Sequence, residues 1–292
     1  MEKNIQDFTL IIVTYESQEI IPELAVKIKD FSNIIFIDNA SKDKSVETIK
    51  LHLPHSVILS NSKNLGFGKA NNQGAQLTKT KYILFLNPDC YISLESVSQL
   101  ISTLSIYKNA AIAAPQTWNT YNLPQISYRQ PFYEKINKNR YEVPDGITSA
   151  KWISGCCLMT RTEEFLKIGG FDENIFLYFE DDELCLKFIQ EGYDCLIDPN
   201  AMAIHKGGVS SKSDWKIKFK KEFFWLTSRH YMINKYLGRK KARNYLYKTI
   251  FASTIILTFY IFSFQFSRAI KWLAWCSSSI SLLLSSKNKK AI

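Results

Sequence analysis

The residues best suited to chemistry fall in a few short clusters of carboxylates and amides, with one histidine behind them. Asp89 closes Asn87-Pro88-Asp89, directly after the apolar run Tyr82–Leu86. A carboxylate there can hold a divalent cation against a diphosphate, since Mg²⁺ and Mn²⁺ typically take one or two protein carboxylates plus phosphate oxygens. The same tripeptide is also good turn chemistry. Glu180-Asp181-Asp182-Glu183 sets four carboxylates in a row at the start of a helical pattern. Acids favour a helix N-terminus. Four exceed what capping needs, and their mutual repulsion raises pKa values toward general-base use. His205 precedes Lys206-Gly207-Gly208 and offers either a metal or diphosphate ligand or an ordinary strand-end histidine. Asp38-Asn39 and Asn64-Leu65-Gly66 can read a base and ribose by hydrogen bonds, or serve as plain βα turns. Gly66-Phe67-Gly68-Lys69 lacks the glycine spacing of a phosphate loop.

These clusters need elements to hold them. Near-continuous apolar runs at Phe8–Thr14, 33–38, 56–60 and Tyr82–Leu86 read as buried strands, with helical stretches between them. One such helix opens at an N-cap, Ser93, and carries Leu94, Val97, Leu100, Ile101 and Leu104. That alternation predicts a parallel sheet covered on both faces. Ligands in such sheets bind beyond the carboxyl ends of the strands, and Thr14, Tyr15, Asp38, Asn64 and Asn87 all follow strands. Asn71 and Asn72 sit on the helix after Gly66-Phe67-Gly68. Residues 115–147 read as loops and short elements, pattern resumes over 151–160, a helix runs from about Asp182 to Glu191, and a last strand ends near His205.

Charge divides the chain. Residues 1–205 hold 19 Lys+Arg against 25 Asp+Glu, and residues 206–292 hold 18 against 2. A basic tail on an acidic body suits an anionic membrane surface; no nucleic-acid module accompanies it, so nucleic acid is not expected as a partner. Phe219, Phe223, Leu226, His230, Ile233 and Leu237 follow helical spacing up to Gly238. Residues 249–266 then carry no charge over 18 positions, and residues 272–286 none over 15. A spanning helix takes about 20 apolar residues, so two interfacial or shallowly re-entrant helices are expected rather than two spans. The six cysteines lack paired Cys-x-x-Cys spacing and read as buried free thiols. The early apolar run Leu10–Val13 is too short for a signal peptide, so a reducing, cytosolic location is expected.

Taken in order, these segments resemble family 2 glycosyltransferases of the GT-A fold, and among them the rhamnosyltransferase-like enzymes of bacterial surface polysaccharide synthesis. The shared pieces are Val13-Thr14-Tyr15, Asp38-Asn39-Ala40-Ser41, Asn64-Leu65-Gly66-Phe67, Phe85-Leu86-Asn87-Pro88-Asp89, Trp152-Ile153-Ser154-Gly155, Gly169-Gly170-Phe171-Asp172-Glu173 and the run from Tyr178 to Lys187. The resemblance implies an α/β GT-A domain over residues 1–212, Rossmann-like with a mostly parallel sheet, and a helical membrane-associating extension over 213–292. It places Thr14, Tyr15, Asp38, Asn64, Asn71 and Asn87 around the nucleotide of a nucleotide-sugar donor. Asp89 and His205 would hold Mg²⁺ or Mn²⁺, Trp152 and Gly155 would border the pocket of a lipid-linked saccharide acceptor, and Asp181 would be the general base between Glu180 and Asp182. The implied reaction is a single inverting displacement at the cytoplasmic face of the plasma membrane, with dTDP-rhamnose as the favoured donor. Two other classes compete. A sugar nucleotidyltransferase would carry a Gly-rich basic loop after the first strand, where Thr14-Tyr15-Glu16-Ser17 stands instead. An inactive membrane-associated subunit would keep the fold without needing Asp89, Asp181 and His205.

Overall fold

The computed structural model describes residues 7–134, 142–207 and 214–288. The chain divides into two compact units, Met1–Glu173 with Glu180–Ser211, and Asn174–Phe179 with Lys212–Ile292.

In the first unit the expected apolar runs become β1 (Phe8–Thr14), β2 (Ile34–Asp38), β3 (Val57–Ser60) and β4 (Tyr82–Leu86). They are followed by β5 (Cys90–Ile92), β6 (Ala110–Trp118), β7 (Tyr128–Arg129), β8 (Thr148–Ser149), β9 (Trp152–Ile153), β10 (Cys157–Arg161) and β11 (Asp194–His205). The helices are α1 (Ile21–Ile28), α2 (Ser45–His52), α3 (Phe67–Leu77), α4 (Leu94–Ile106), α5 (Thr162–Lys167) and α6 (Glu180–Gln190). Ser93 caps α4, its hydroxyl accepting from the amide of Ser96.

The main sheet runs β3-β2-β1-β4-β10-β6-β11-β5, with β8 paired to β11. β1 to β4 are mutually parallel, as expected, and β11 is parallel to β6. The sheet is nonetheless mixed, because β10 enters antiparallel between β4 and β6, and β5 lies antiparallel to β11. β1, β2 and β4 are buried on both sides, whereas β3, expected to be buried, is the edge strand and is only partly covered, with Val57 55% exposed. Leu10 and Ile12 join one core cluster with Ile21, Leu24, Ile49 and Leu100, while Ile11 and Val13 join a second with Ala70, Phe165, Leu184 and Phe188. The period-2 alternation of a strand therefore sends α1, α2 and α4 to one face and α3, α5 and α6 to the other.

Two expectations are corrected. Residues 115–118 are not loop but the end of β6, whose alanine-rich start gives little strand signal. The acidic helix opens at Glu180, two residues earlier than expected, so all four carboxylates lie in its first turn. The described cysteines are free, and five are buried; Cys276 is half-buried.

The second unit contains α7 (Trp215–Leu237), α8 (Arg239–Phe262) and α9 (Phe266–Asn288), packed against one another. The expected stop at Gly238 is observed, with the glycine at φ 90°. The apolar segment expected over 249–266 is divided: its first part completes α8, and the chain turns at residues 263–265. Among the described residues, α8 alone is long and apolar enough to cross a membrane.

Candidate active site

β1, β2 and β4 end at one edge of the sheet, and most of the residues singled out by sequence gather along it. Thr14 and Asp38 are register partners at the ends of β1 and β2. Both are buried, and the Thr14 hydroxyl donates to Asp38 Oδ1 at 3.4 Å. The other carboxylate oxygen of Asp38 accepts from the amide of Ser41 at 3.0 Å, bending the chain through Ala40 at φ 66°. Tyr15 leaves β1 with 42% of its surface exposed, and its amide donates to the Ser17 hydroxyl.

Asn39 is the hub of the next loop. Its amide group donates to Asn64 Oδ1 and to the Gly66 carbonyl, both at 3.1 Å, and its oxygen accepts from the Leu65 amide at 3.0 Å. Asn64 Oδ1 also accepts from the amide of Gly66. Asn64 is thus held against Asn39, the residue that follows Asp38. Asn71 is buried on α3, and its amide group donates to the Phe67 carbonyl of its own helix at 3.1 Å. Its neighbour Asn72 reaches the other way, exchanging two hydrogen bonds of 2.9 Å with the backbone of Phe171. A Cβ on Gly170 would lie 2.4 Å from Asn72 Oδ1, and Gly170 has φ 62°, so this clamp requires glycine there twice over.

Asp89 and His205 face one another across β5 and β11, with Asp89 Oδ1 3.4 Å from His205 Nε2. Gln125 holds the far side of the imidazole. Its amide group donates to the His205 carbonyl at 3.0 Å, which turns its oxygen toward His205 Nδ1 at 3.2 Å. Nδ1 then carries the proton and donates, and Nε2 is aimed at Asp89. Burial pushes His205 toward its neutral form, but the hydrogen bond and charge of Asp89 outweigh it and leave the pKa raised. Asn87 Oδ1, two residues before Asp89, is enclosed and has no hydrogen-bond partner among the described residues. No group of three or more His, Cys, Asp or Glu side chains suited to a metal occurs among the described residues. One carboxylate, one imidazole and an orphaned amide oxygen suit a cation that completes its shell with phosphate and water. The donor set fits Mg²⁺ or Mn²⁺ on that basis.

The third cluster forms around the first turn of α6. The amide of Gly155 donates to Asp181 Oδ2 at 3.1 Å, and the amide of Asp182 donates to Asp181 Oδ1 at 2.9 Å. A Cβ on Gly155 would lie 3.2 Å from the Asp181 Cβ, so the approach relies on glycine. Asp182 is buried and pairs with Arg129 at 2.6 Å. The Arg129 guanidinium lies 4.1 Å over the ring of Trp152, its register partner in the separate sheet β7–β9. Arg129 and Gln125 come from the stretch that sequence left as loops, and nothing in their local pattern marks them. Glu180 is buried, its Oε2 unpartnered among the described residues. Burial and then the charge of Asp181 push its pKa up to about 8, so it is mostly protonated at neutral pH. Tyr178 and Phe179, just ahead, hold φ of 67° and 69°. Backbone strain of roughly 1–3 kcal/mol per residue is characteristic of functional sites.

The Asp89–His205 cluster and the carboxylate cluster of α6 meet where the Asn87 amide donates to the Cys156 carbonyl at 2.8 Å, one residue beyond Gly155. The arrangement therefore places a buried carboxylate paired with a half-buried imidazole, and an amide-braced carboxylate, at one sheet edge. Chemically it can neutralise an anionic leaving group and accept a proton nearby.

Comparison with known proteins identifies the family and the fold. The family described as Glycosyl transferase family 2 matches residues 9–165. The chain is 30% identical over 196 residues to "Rhamnosyltransferase WbbL" of Escherichia coli K12, covering 60% of this chain and 71% of that protein. It is 24% identical over 233 residues to the "N-acetylglucosaminyl-diphospho-decaprenol L-rhamnosyltransferase" of Mycobacterium tuberculosis, covering 68% and 75%. Among solved structures, the mannosyltransferase PcManGT of Pyrobaculum calidifontis, in complex with GDP-Man and Mn²⁺, superposes with a TM-score of 0.59. That match covers 97% of this chain and 75% of that one at 12% identity, a likeness of fold.

Proposed function

The chain belongs to glycosyl transferase family 2, and from that premise we propose that it transfers rhamnose from dTDP-rhamnose to a hydroxyl of a lipid-linked saccharide. The reaction is a single inverting displacement at the cytoplasmic face of a membrane. The names of its relatives support the sugar, and that of the mycobacterial relative supports a polyprenyl-diphosphate acceptor.

The observation that carries this reading is the bracing of Asp181 by two backbone amides, on the same sheet edge as the Asp89–His205 pair. Each carboxylate oxygen keeps lone pairs beyond those bonds, so Asp181 can accept the acceptor hydroxyl proton as that oxygen attacks the anomeric carbon. Asp182, fixed by Arg129, and the neutral Glu180 orient the acceptor and sugar hydroxyls. Trp152 and Gly155 border the acceptor. Thr14 fixes Asp38, which with Asn64 reads the nucleoside; the exposed Tyr15 ring offers a stacking face, and Asn71 and Asn87 complete the donor side. Asp89 and His205 would hold Mg²⁺ or Mn²⁺, which would supply positive charge to the leaving diphosphate.

The test is a panel of nucleotide sugars offered to purified protein with each metal, reading nucleoside-diphosphate release. The expected result is turnover with dTDP-rhamnose and its loss, by about a thousandfold, in Asp181→Asn with folding retained. Undiminished turnover in that variant removes Asp181 from the role. A well-folded parent that is silent across the panel refutes the enzyme reading.

A further inference from the structure

α8 and α9 bury mostly small side chains, Leu246 and Trp275 being the large ones turned inward, and carry other large apolar ones outward. α8 buries Ala242, Leu246, Thr249 and Ser253, while Phe251, Ile255, Phe259 and Phe262 lie on its opposite side, Phe262 being 80% exposed. α9 buries Ala274, Ser278 and Ser279 and exposes Phe266, Leu273, Ile280 and Leu284 at one helical stripe. Helices packed in water do the reverse. Small residues between helices and bulky apolar ones outside are the arrangement of helices whose outer solvent is lipid.

The ends of the hairpin are cationic. Arg239, Lys240, Lys241, Arg243 and Lys248 stand at the start of α8, and Arg268 and Lys271 follow the turn into α9. Asp214 and Glu222 are the only acids after His205. The uncharged part of α8, residues 249–262, is 14 residues, or about 21 Å of helix against a hydrocarbon core of about 30 Å.

α7 decides the orientation. Its first half runs alongside the first half of α9: Lys218 Nζ donates to the Ser267 carbonyl at 3.0 Å, Trp225 stacks on Trp275 at 5.1 Å, and Thr227 bonds Ser278 at 2.9 Å. A spanning α8 would carry α7 into hydrocarbon with Lys216, Lys218, Lys220, Lys221, Glu222 and Arg229, at about 2.5–3.5 kcal/mol for each basic residue near the bilayer centre. In the interfacial plane α7 stays on the water side.

We infer that α8 and α9 lie flat in the interface of an anionic bilayer, with Phe251, Ile255, Phe259 and Phe262 facing the acyl chains and the basic hairpin ends on lipid headgroups. This rests on the membrane-associated reading above and adds its geometry. Apolar burial supplies the depth, and the flanking lysines and arginines supply selectivity for negative headgroups.

Flotation of the full chain with phosphatidylcholine vesicles, with and without phosphatidylglycerol, tests the surface. Binding is expected to need the anionic lipid and to fall by on the order of tenfold or more in the Phe251, Phe259 and Phe262→Ser triple variant. An unchanged melting temperature shows that the variant is folded. Orientation is tested by a fluorescent label at Phe251→Cys or Phe262→Cys in a Cys276→Ser background, quenched by nitroxide lipids of graded depth. Equal, shallow depths are expected; depths differing by about 16 Å, the rise along eleven helical residues, overturn the flat arrangement while leaving membrane association standing. Failure of the parent to float overturns both, and a lipid-free dimer abolished by the triple variant assigns the face to a second copy instead.

Discussion

Arg129 bonds Asp182 at 2.6 Å while its guanidinium lies 4.1 Å over the Trp152 ring. A two-residue strand thus ties the helix bearing the candidate base to the wall of the candidate acceptor pocket. Arg129→Met leaves Asp182 buried without its cation, and removing one partner of a buried pair costs roughly 3–5 kcal/mol. A lower melting temperature and a loss of transfer are expected. The double variant with Asp182→Asn should recover stability but not transfer. A stable, fully active Arg129→Met enzyme would refute the clamp.

Gly155→Ala tests the approach of Asp181 at little cost to the fold. The added methyl meets the Asp181 Cβ at 3.2 Å, so the carboxylate must shift by a few tenths of an ångström. A fall in kcat of about ten- to a hundredfold is expected, with donor binding unchanged. Gly146→Ala, whose new methyl would meet nothing within 4 Å, is the control. Steady-state kinetics on both variants check this.

Glu180 makes stability depend on pH in a definite sense. Its folded pKa of about 8 lies above the ordinary value of 4.5, so the folded state binds the proton more tightly. That stabilisation is fully present below pH 4.5 and is lost as pH rises toward 8, by up to about 1.4 kcal/mol per unit. Glu180→Gln should therefore melt higher than the parent at pH 8.5 and close to it at pH 5. Parallel melting curves at the two pH values would contradict the burial argument.

Asp89→Asn keeps the shape of the Asn87-Pro88-Asp89 turn and removes a negative ligand. With the parent, Mn²⁺ and a nucleoside diphosphate together are expected to raise the melting temperature more than either alone. The variant should lose that synergy while still folding. Retained synergy would place the cation elsewhere.

Much of this was legible in the sequence because the relevant signals are local. β1, β2 and β4 are unbroken apolar runs, and their terminal residues fall at the sheet edge by topology alone. Arg129 and Gln125 were not legible, because each acts through pairing that no periodicity announces. β7 and β9 are two residues long, and the bond from Gln125 to His205 spans 80 positions. β6 was hidden by four alanines and Pro115, residues with weak strand preference that the sheet overrides. Asp38, Asn39 and Asn64 all stood out by their place after strands, but nothing local showed that Asn39 is the hub joining the two loops.

The ribbon β7–β9 is hydrogen-bonded as a sheet of its own, apart from the one that carries Asp38, Asn39 and Asp89. On the proposed function this gives the two substrates unequal freedom to diverge. The donor side is a lattice in which each amide answers to several others, so change there is penalised at once. The acceptor side hangs on a short ribbon outside that lattice, tied to the helix of Asp181 through Arg129. Descendants of such a chain would keep their activated sugar while sampling new hydroxyls, and grafting the stretch between Tyr128 and Ile153 from a relative, with Gln125, the Arg129–Asp182 pair and Gly155 kept, is the natural route to redirecting linkage by engineering.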